Sequence, residues 1–218
     1  MVKEGEDIVK KYNIDTKKLE EEQKKLAQQL EIKNSRNFSE IEKIGAIDTI
    51  FANKLISACI VTDMNFEILE QEYSVEKAKF PYIPGFRAYR ELPTMISCFN
   101  KLEEKPDIIL IPGHGIAHPK LGLASHFSLL ADIPTIGVAK NLLIGEVKGE
   151  DILLEGKKVG KILQIKKGAN PIYISPGNKI SIETSLEVVK KLVKEKHKMP
   201  EPIRLAHKYA KEIMKELS

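Results

Sequence analysis

The sequence predicts an α/β fold in which a mixed β-sheet carries helices on both faces. Three strand-like runs follow one another between residues 43 and 75, with short turns between them. Beyond them, helical and strand-like runs alternate, which is the pattern of parallel strands joined by helices. About 42% of the 218 residues are hydrophobic, which suits an ordinary globular core. We therefore expect a single domain over residues 1–218.

The first 36 residues are highly charged and helical in character. Leu19, Leu26 and Leu30 recur at helical spacing and give one apolar stripe, so this segment is expected to form an N-terminal helix packed on the domain. The strands of the first half are predicted at residues 43–50, 55–62 and 66–75, with a turn at 63–65. This short turn makes the last two strands antiparallel neighbours.

A proline-bracketed loop at residues 80–85 precedes a run with helical periodicity at 86–102. Pro93 is expected to kink or restart that helix, because proline cannot donate a backbone hydrogen bond. The later elements are predicted as strands at 107–111 and 134–139, a loop at 112–119, a helix at 121–131, a hairpin of 152–154 with 159–165 about Gly156, a strand at 171–175, and helices at 181–194 and 203–217.

Composition limits the class of protein. The net charge of +4 suits an anionic partner, although lysine and glutamate are interspersed as on any solvated surface. Cys59 and Cys98 lie in apolar runs, so buried free thiols are expected. No apolar run is long enough for a membrane span and no signal peptide opens the sequence, so a cytoplasmic protein without a membrane partner is expected.

Two acids stand out as candidate functional residues. Asp48 lies inside an otherwise apolar strand, where an acid is costly to bury unless it is paired or bound to a metal. Glu91 lies in the first helix of the alternating region, beside Arg87 and Arg90. Each has a simpler interpretation: Asp48 as a strand-end acid facing solvent, and Glu91 as part of a surface ion pair. Asp107 lies at the opposite end of its strand from Pro112 and is not expected to join them.

Several short strings occur in a fixed order from about Ile41 to the last helix. They are Phe80-Pro-Tyr-Ile-Pro-Gly85, Arg90-Glu91, Gly113-His-Gly-Ile-Ala-His-Pro119, Ala124-Ser-His126, Pro134-Thr-Ile-Gly-Val-Ala-Lys140, Ile174-Ser-Pro-Gly177 and Pro200-Glu-Pro-Ile-Arg-Leu-Ala-His207. In this order they resemble the endonuclease V family over nearly the whole chain.

The resemblance implies an RNase H-like mixed sheet with helices on both faces. It also implies a nuclease of DNA repair that recognises inosine and other deaminated bases in DNA or RNA. Such an enzyme hydrolyses the second phosphodiester bond on the 3′ side of the base, with Mg²⁺ as cofactor and Mn²⁺ as an alternative. The partner is then inosine-containing nucleic acid, and a monomer is the expected state.

The resemblance also assigns roles to residues. Asp48 and Glu91 would bind the metal and act in catalysis together with Lys140, His118 and His207. Tyr82 would be the wedge that fills the gap left by an extruded base, since flanking prolines stiffen its loop and a ring stacks on bases; the alternative is an aromatic side chain that closes the core. The remaining substrate-binding candidates are Pro81, Ile83, Pro84, Gly85, Gly113, His114, Gly115, Ile116, Gly122, Ser125 and His126.

One departure bears directly on activity. The family has Asp-Gly-x-Gly after the fourth strand, with that aspartate binding the metal, whereas this chain has Pro112. Asn178 and Ile50 also stand where the family usually has histidine and a small residue. Three alternatives follow: an active nuclease with a substitute ligand such as His114 and a manganese preference, a weakened enzyme, or a module that binds inosine without cutting. A fourth alternative, outside the nucleic-acid-binding proteins, is a structural or interaction protein that kept the fold and lost the ligand pocket.

Overall fold

A computed structural model of the chain describes residues 8–9, 11–166, 168–194 and 196–217. Within these residues the strands are β1 (Ile44–Ala52), β2 (Lys54–Thr62), β3 (Ile68–Glu76), β4 (Ile108–Pro112), β5 (Thr135–Ala139), β6 (Glu146–Lys148), β7 (Asp151–Leu154), β8 (Lys157–Leu163) and β9 (Ile172–Asn178). The longer helices are α1 (Thr16–Ala27), α2 (Arg87–Lys101), α3 (Leu123–Ala131), α4 (Ile182–Leu192) and α5 (Glu201–Glu216).

All of these strands belong to one sheet, in the order β3-β2-β1-β4-β5-β9-β8-β7-β6. β4 runs parallel to β1 and to β5, whereas the other neighbouring pairs are antiparallel. The predicted mixed sheet is therefore confirmed. Ala46 of β1 pairs with Leu110 of β4, and continuing this register brings Asp48 level with Pro112, the last residue of β4.

Helices cover both faces of the sheet, as predicted. α2 and α3 contribute to one buried cluster, in which Leu92 and Phe127 pack with Ile47 of β1. α4 and α5 contribute to the other, in which Val189 and Ile203 pack with Ala46. Because successive side chains of a strand point to opposite faces, Asp48 points to the same face as Ala46, toward α5.

The N-terminal helix is shorter than predicted. α1 ends at Ala27, and residues 28–36 have no helical structure, while residues 1–7 and 10 lie outside the described residues. α1 nevertheless contacts the rest of the chain: the Gln23 side chain donates to the Gly85 carbonyl at 3.2 Å, and the Tyr89 hydroxyl donates to the Leu19 carbonyl at 3.2 Å. This helix therefore supports the loop that carries Tyr82.

Three further elements differ from the prediction. β6 was not expected, and β9 continues to Asn178 instead of ending at residue 175. Pro93 lies inside α2, which continues through it without a restart. Asn178 is buried, and its amide oxygen accepts the Glu31 backbone N–H at 2.7 Å, so this residue connects the N-terminal segment to the sheet.

Two expectations about surface and core can be compared directly with the structure. Cys59 and Cys98 are buried free thiols, as predicted. In the described part of the chain, no helix combines the length and the apolar character needed to cross a membrane.

Candidate active site and nucleic-acid cleft

The acid predicted in the first strand lies against the last helix. Asp48 is buried, and its Oδ2 is 2.6 Å from Nδ1 of His207 on α5. Its Oδ1 accepts the backbone N–H of Thr49 at 2.9 Å. The structure thus brings two predicted site residues into direct contact. The His207 side chain is 45% exposed, and its Nε2 has no hydrogen-bond partner among the described residues, so this nitrogen is accessible to a ligand.

The acid predicted in α2 is buried and only half paired. Oε1 of Glu91 is 2.6 Å from Nε of Arg87, one turn earlier in the helix. Oε2 is buried and has no hydrogen-bond partner among the described residues. Burial raises the pKa of Glu91 above its ordinary value, and Arg87 opposes this rise, whereas the Asp48 carboxylate adds to it. Asp48 and Glu91 therefore converge, as predicted, and the ion pair of Glu91 is not a surface pair.

A guanidinium lies beside the residue that replaces the expected aspartate. Nη1 of Arg87 donates to the Pro112 carbonyl oxygen at 3.1 Å. Burial lowers the pKa of Arg87, but the carboxylates of Glu91 and Asp48 outweigh burial and hold the pKa above its ordinary value. Arg87 was not among the predicted site residues, because an arginine four residues before a glutamate is typical of a solvent-facing helix. The sequence signal that could have revealed Arg87 is that an arginine near Glu91 and a proline at position 112 occur in the same chain.

The described side chains offer a divalent cation two carboxylates, Asp48 and Glu91, and no third ligand. Within residues 8–9, 11–166, 168–194 and 196–217, no three His, Cys, Asp or Glu side chains lie close enough together to hold a metal. Mg²⁺ prefers an octahedral set of oxygen ligands. Each oxygen of Asp48 accepts or shares one hydrogen bond, whereas the buried Oε2 of Glu91 has no hydrogen-bond partner among the described residues.

Arg87 adds an electrostatic obstacle to metal binding. A cation bound to Glu91 would lie about 5 Å from the guanidinium, and at an effective dielectric constant of about 20 the two would repel by roughly 7 kcal/mol before solvent screening. Arg87 thus supplies a positive charge next to both carboxylates, and a second cation at the same place is unfavourable.

The two histidines of the loop after β4 do not join the carboxylates. Nε2 of His114 is 3.1 Å from the Asn141 carbonyl oxygen, and burial lowers the pKa of His114. Nε2 of His114 thus contacts a backbone carbonyl oxygen, and a metal-binding role of His114 stays a prediction. Nδ1 of His118 accepts the Lys120 backbone N–H at 3.2 Å, and burial lowers the pKa of His118 to about 4.

The loop that carries Tyr82 is anchored by a buried residue and exposes its aromatic ring to solvent. Ile83 is buried, whereas the Tyr82 side chain is 60% exposed. The Phe86 backbone N–H donates to the Ile83 carbonyl at 3.0 Å and closes a turn. Gly85 has a φ of +83°, which glycine adopts without strain. A fixed loop that presents a free aromatic ring is the geometry expected of a base-stacking wedge, not of a ring that closes the core.

A cleft of about 190 Å³ lies between this loop and the loop after β4. Five predicted site residues line it: Tyr82, Gly85, Gly113, His114 and His118. Arg87, Leu121, Leu123 and Leu143 complete much of its wall. The cleft therefore combines an apolar wall with a few polar groups, as small-ligand sites do.

Other residues predicted to bind substrate lie behind this loop. A Cβ on Gly115 would meet the Pro176 carbonyl oxygen at 2.0 Å, and one on Gly122 would meet the Gly115 carbonyl oxygen at 2.2 Å. Packing of the protein backbone is thus sufficient to require glycine at both positions. The Ile116 backbone N–H likewise donates to the Pro176 carbonyl at 2.9 Å.

Two further candidates are buried in the same region. Ser125 is inaccessible, and its hydroxyl donates to the Gly177 carbonyl at 2.8 Å. His126 is 5% exposed and packs edge-on against the Tyr89 ring, with the centroids 5.5 Å apart. Ser125 and His126 thus have almost no surface for a ligand.

Three predicted residues lie at the margins of the cleft. Lys140 follows β5 and is exposed, with no hydrogen bond or ion pair to another described residue. Pro84 is exposed at the tip of the Tyr82 loop. Pro81 faces a neighbouring groove rather than the cleft.

This neighbouring groove was not predicted from the sequence. It is lined by exposed aromatic rings, among them Phe51 and Tyr12, and by cationic side chains that include Lys54, Lys79 and Arg90. Its described lining contains no aspartate or glutamate. The Arg90 guanidinium carbon lies 4.6 Å from the centroid of the Phe51 ring. We refer to this surface as the basic groove; its residues come from four separate segments, which concealed it in the linear sequence.

Comparisons with known proteins agree with this arrangement. The family model for endonuclease V matches residues 24–208. An endonuclease V from Dictyoglomus thermophilum is 37% identical over 188 residues, which cover 81% of this chain and 82% of that protein.

Solved structures show the same fold. The endonuclease V of Streptomyces avermitilis has a TM-score of 0.85 at 26% identity and covers 93% of this chain and 94% of its own. A Ciona intestinalis endonuclease V, solved with a 23mer DNA containing an inosine followed by a ribo-adenosine, has a TM-score of 0.83 at 23% identity and covers 94% of this chain and 100% of its own. The predicted RNase H-like architecture is thus confirmed.

Proposed function

Because this chain belongs to the endonuclease V family, we propose that it recognises inosine in nucleic acid and holds the modified strand in the cleft beside Tyr82. We further propose that it hydrolyses the second phosphodiester bond on the 3′ side far more slowly than a site with three carboxylates would. The single observation that carries the proposal is the braced loop that presents Tyr82 between the cleft and the basic groove.

Tyr82 and the cleft have different roles in recognition: Tyr82 stacks in the strand, and the cleft binds the extruded base. An extruded base leaves a gap in the stack, and an aromatic ring on a rigid loop fills it at little entropic cost. The extruded base would enter the cleft, where Gly113, His114 and His118 surround it. His118 remains neutral at ordinary pH, because burial lowers its pKa to about 4, so it meets the base as a hydrogen-bonding group without charge.

The basic groove extends the contact to the rest of the strand. Exposed rings such as Phe51 offer stacking surfaces, and the lysines around them attract phosphates. The proposal covers DNA and RNA alike, since the base and the phosphates that these residues meet are the same in both. One copy of the chain is sufficient, because cleft and groove share the Tyr82 loop.

Binding to matched oligonucleotides tests the proposal. Fluorescence anisotropy would give the Kd for a single strand with one inosine and for two twins with adenosine or guanosine at that position. We expect the inosine strand to bind at least about tenfold more tightly than the adenosine twin. Equal affinity for the inosine strand and both twins would remove the case for recognition.

A second candidate function is efficient metal-dependent hydrolysis of the same bond. It is favoured by Oε2 of Glu91, which is buried without a hydrogen-bond partner among the described residues, and by the contact of Asp48 with His207. Incubating the inosine strand with Mg²⁺ and, separately, with Mn²⁺ distinguishes the two. Rapid nicking by substoichiometric protein supports this second function, whereas slow or no nicking at enzyme excess supports the first.

A further inference from the structure

Arg87 is held in the site by contacts on two sides of its guanidinium. Nε lies 2.6 Å from Glu91, and Nη1 donates to the Pro112 carbonyl oxygen at 3.1 Å. Two fixed donors of one planar group leave it little freedom to rotate, so the charge has a defined position. That position is bounded by the end of β4 and by the buried face of α2.

Arg87 also lines the cleft beside Tyr82. The Arg87 side chain is 38% exposed, and its Nη2 has no hydrogen-bond partner among the described residues. A Cβ at position 113 would lie in contact with Nη1 of Arg87, at 3.5 Å, so glycine at this position leaves that side of the guanidinium uncovered. A ligand in the cleft beside Tyr82 therefore has access to a fixed positive charge.

The charges around Arg87 explain why it can remain there. The carboxylates of Glu91 and Asp48 both stabilise the charged form of Arg87, and Pro112 brings no third carboxylate beside it. A single guanidinium offsets one of the two negative charges, and its own charge disfavours a further cation beside it. Without the positive charge of Arg87, the carboxylates of Asp48 and Glu91 would both repel the phosphate of a bound strand.

We propose that Arg87 stands as a built-in cation where the family's metal would be, and that its free Nη2 binds a phosphate of the inosine-containing strand, so that strand binding needs no divalent metal. This inference rests on the proposed function, since it requires that nucleic acid enters the cleft. A guanidinium suits the role because its planar donors match phosphate oxygens.

The test compares strand binding with and without metal. The Kd of the unaltered protein for the inosine strand would be measured in EDTA and in Mg²⁺, and its salt dependence recorded in EDTA. The same measurements on Arg87→Gln remove the charge in the site. Arg36→Gln is the matched control, because Arg36 pairs with Asp107 at the opposite end of β4 and loses the same charge.

We expect the Kd of the unaltered protein in EDTA to lie within about twofold of its value in Mg²⁺. Arg87→Gln should raise the Kd in EDTA by about tenfold and reduce the salt slope by about 0.7, the value for one phosphate contact on a single strand. Arg36→Gln should change the Kd by less than about twofold. A purely structural role of Arg87 would leave the salt slope unchanged.

Two results would overturn the inference: EDTA weakens binding of the unaltered protein tenfold or more, or folded Arg87→Gln keeps the original salt slope. The EDTA comparison uses the unaltered protein, so it decides the matter even where the variant fails to fold. Failure of the proposed function would give a different result: the Kd for the inosine strand would equal that for its adenosine twin, in EDTA and in Mg²⁺ alike.

Discussion

Introducing an aspartate at position 112 should create a metal site only when Arg87 is also removed. Nη1 of Arg87 lies 3.1 Å from the Pro112 carbonyl oxygen, so a carboxylate introduced there has a guanidinium beside it. In Pro112→Asp alone, the new carboxylate pairs with Arg87 and is not free. In the double variant Arg87→Leu with Pro112→Asp, Glu91 loses its partner and three carboxylates face one space.

The size of the effect follows from the charges. The repulsion of roughly 7 kcal/mol between a guanidinium and a divalent cation about 5 Å away is reduced by solvent, because Arg87 is 38% exposed; on the order of 2–3 kcal/mol should remain. Since about 1.4 kcal/mol corresponds to a factor of ten, this alone is worth roughly 30- to 150-fold in metal affinity. The added carboxylate increases it further.

Calorimetric titration of Mn²⁺ alone into the unaltered protein, both single variants and the double variant measures this directly. We expect the double variant to bind Mn²⁺ at least about 100-fold more tightly than the unaltered protein, and to nick the inosine strand at least about tenfold faster. Thermal melting of each variant confirms that it is folded. The reasoning is refuted if Pro112→Asp alone matches the double variant, or if the unaltered protein already binds Mn²⁺ as tightly.

Three other predictions follow from the geometry of the cleft. Tyr82→Ala should raise the Kd for the inosine strand by about tenfold in an anisotropy assay, since stacking on a base is worth about 1–3 kcal/mol, whereas Tyr82→Phe should bind normally. For His118, whose pKa falls from 6.5 to about 4 on folding, the unfolded chain binds more protons between these values. The free energy of unfolding should therefore be greatest above pH 6.5 and fall by up to about 3 kcal/mol as the pH drops to 4. In His118→Gln the free energy of unfolding should depend less steeply on pH over this range. Gly115→Ala should lower the free energy of unfolding in urea by about 3 kcal/mol, because its Cβ would lie 2.0 Å from the Pro176 carbonyl oxygen.

Each of these has a clear contrary outcome. Unchanged binding by Tyr82→Ala would mean that the exposed ring takes no part in recognition. An identical pH profile in His118→Gln would place the acid sensitivity in another group. A fully stable Gly115→Ala would show that the loop after β4 relaxes away from β9.

Asp48 and His207 are site residues that could be predicted from the sequence. An acid inside an apolar strand needs a partner when it is buried, and the family resemblance assigned His207 to the same site. The structure joins them at 2.6 Å. Tyr82 was predicted for a similar reason, because prolines on both sides fix its loop locally.

Arg87 shows where the same reasoning stops. Its spacing from Glu91 is that of an ordinary helical ion pair, and only the three-dimensional register of β4 with β1 reveals that this pair lies beside Pro112. The basic groove was missed for the same physical reason, since its residues meet only after folding.

Element boundaries depended on tertiary contacts that no local pattern contains. β9 continues through Pro176, which lacks a backbone N–H, because a register shift at Thr135 and Ile136 accommodates it opposite β5. β6 is a three-residue edge strand whose residues are all exposed, so it offers no hydrophobic alternation. The glycines of the loop after β4 were assigned to ligand approach, whereas Gly115 and Gly122 are needed for backbone packing.

A crystal structure of the protein with a single strand containing one inosine, grown in EDTA, would show where the base and the phosphates bind. We predict that the extruded base lies in the cleft between Tyr82 and His118, and that a phosphate oxygen lies within hydrogen-bond distance of Nη2 of Arg87. A strand bound elsewhere with the cleft empty, or a phosphate that avoids Arg87, would contradict recognition at this site by a built-in cation.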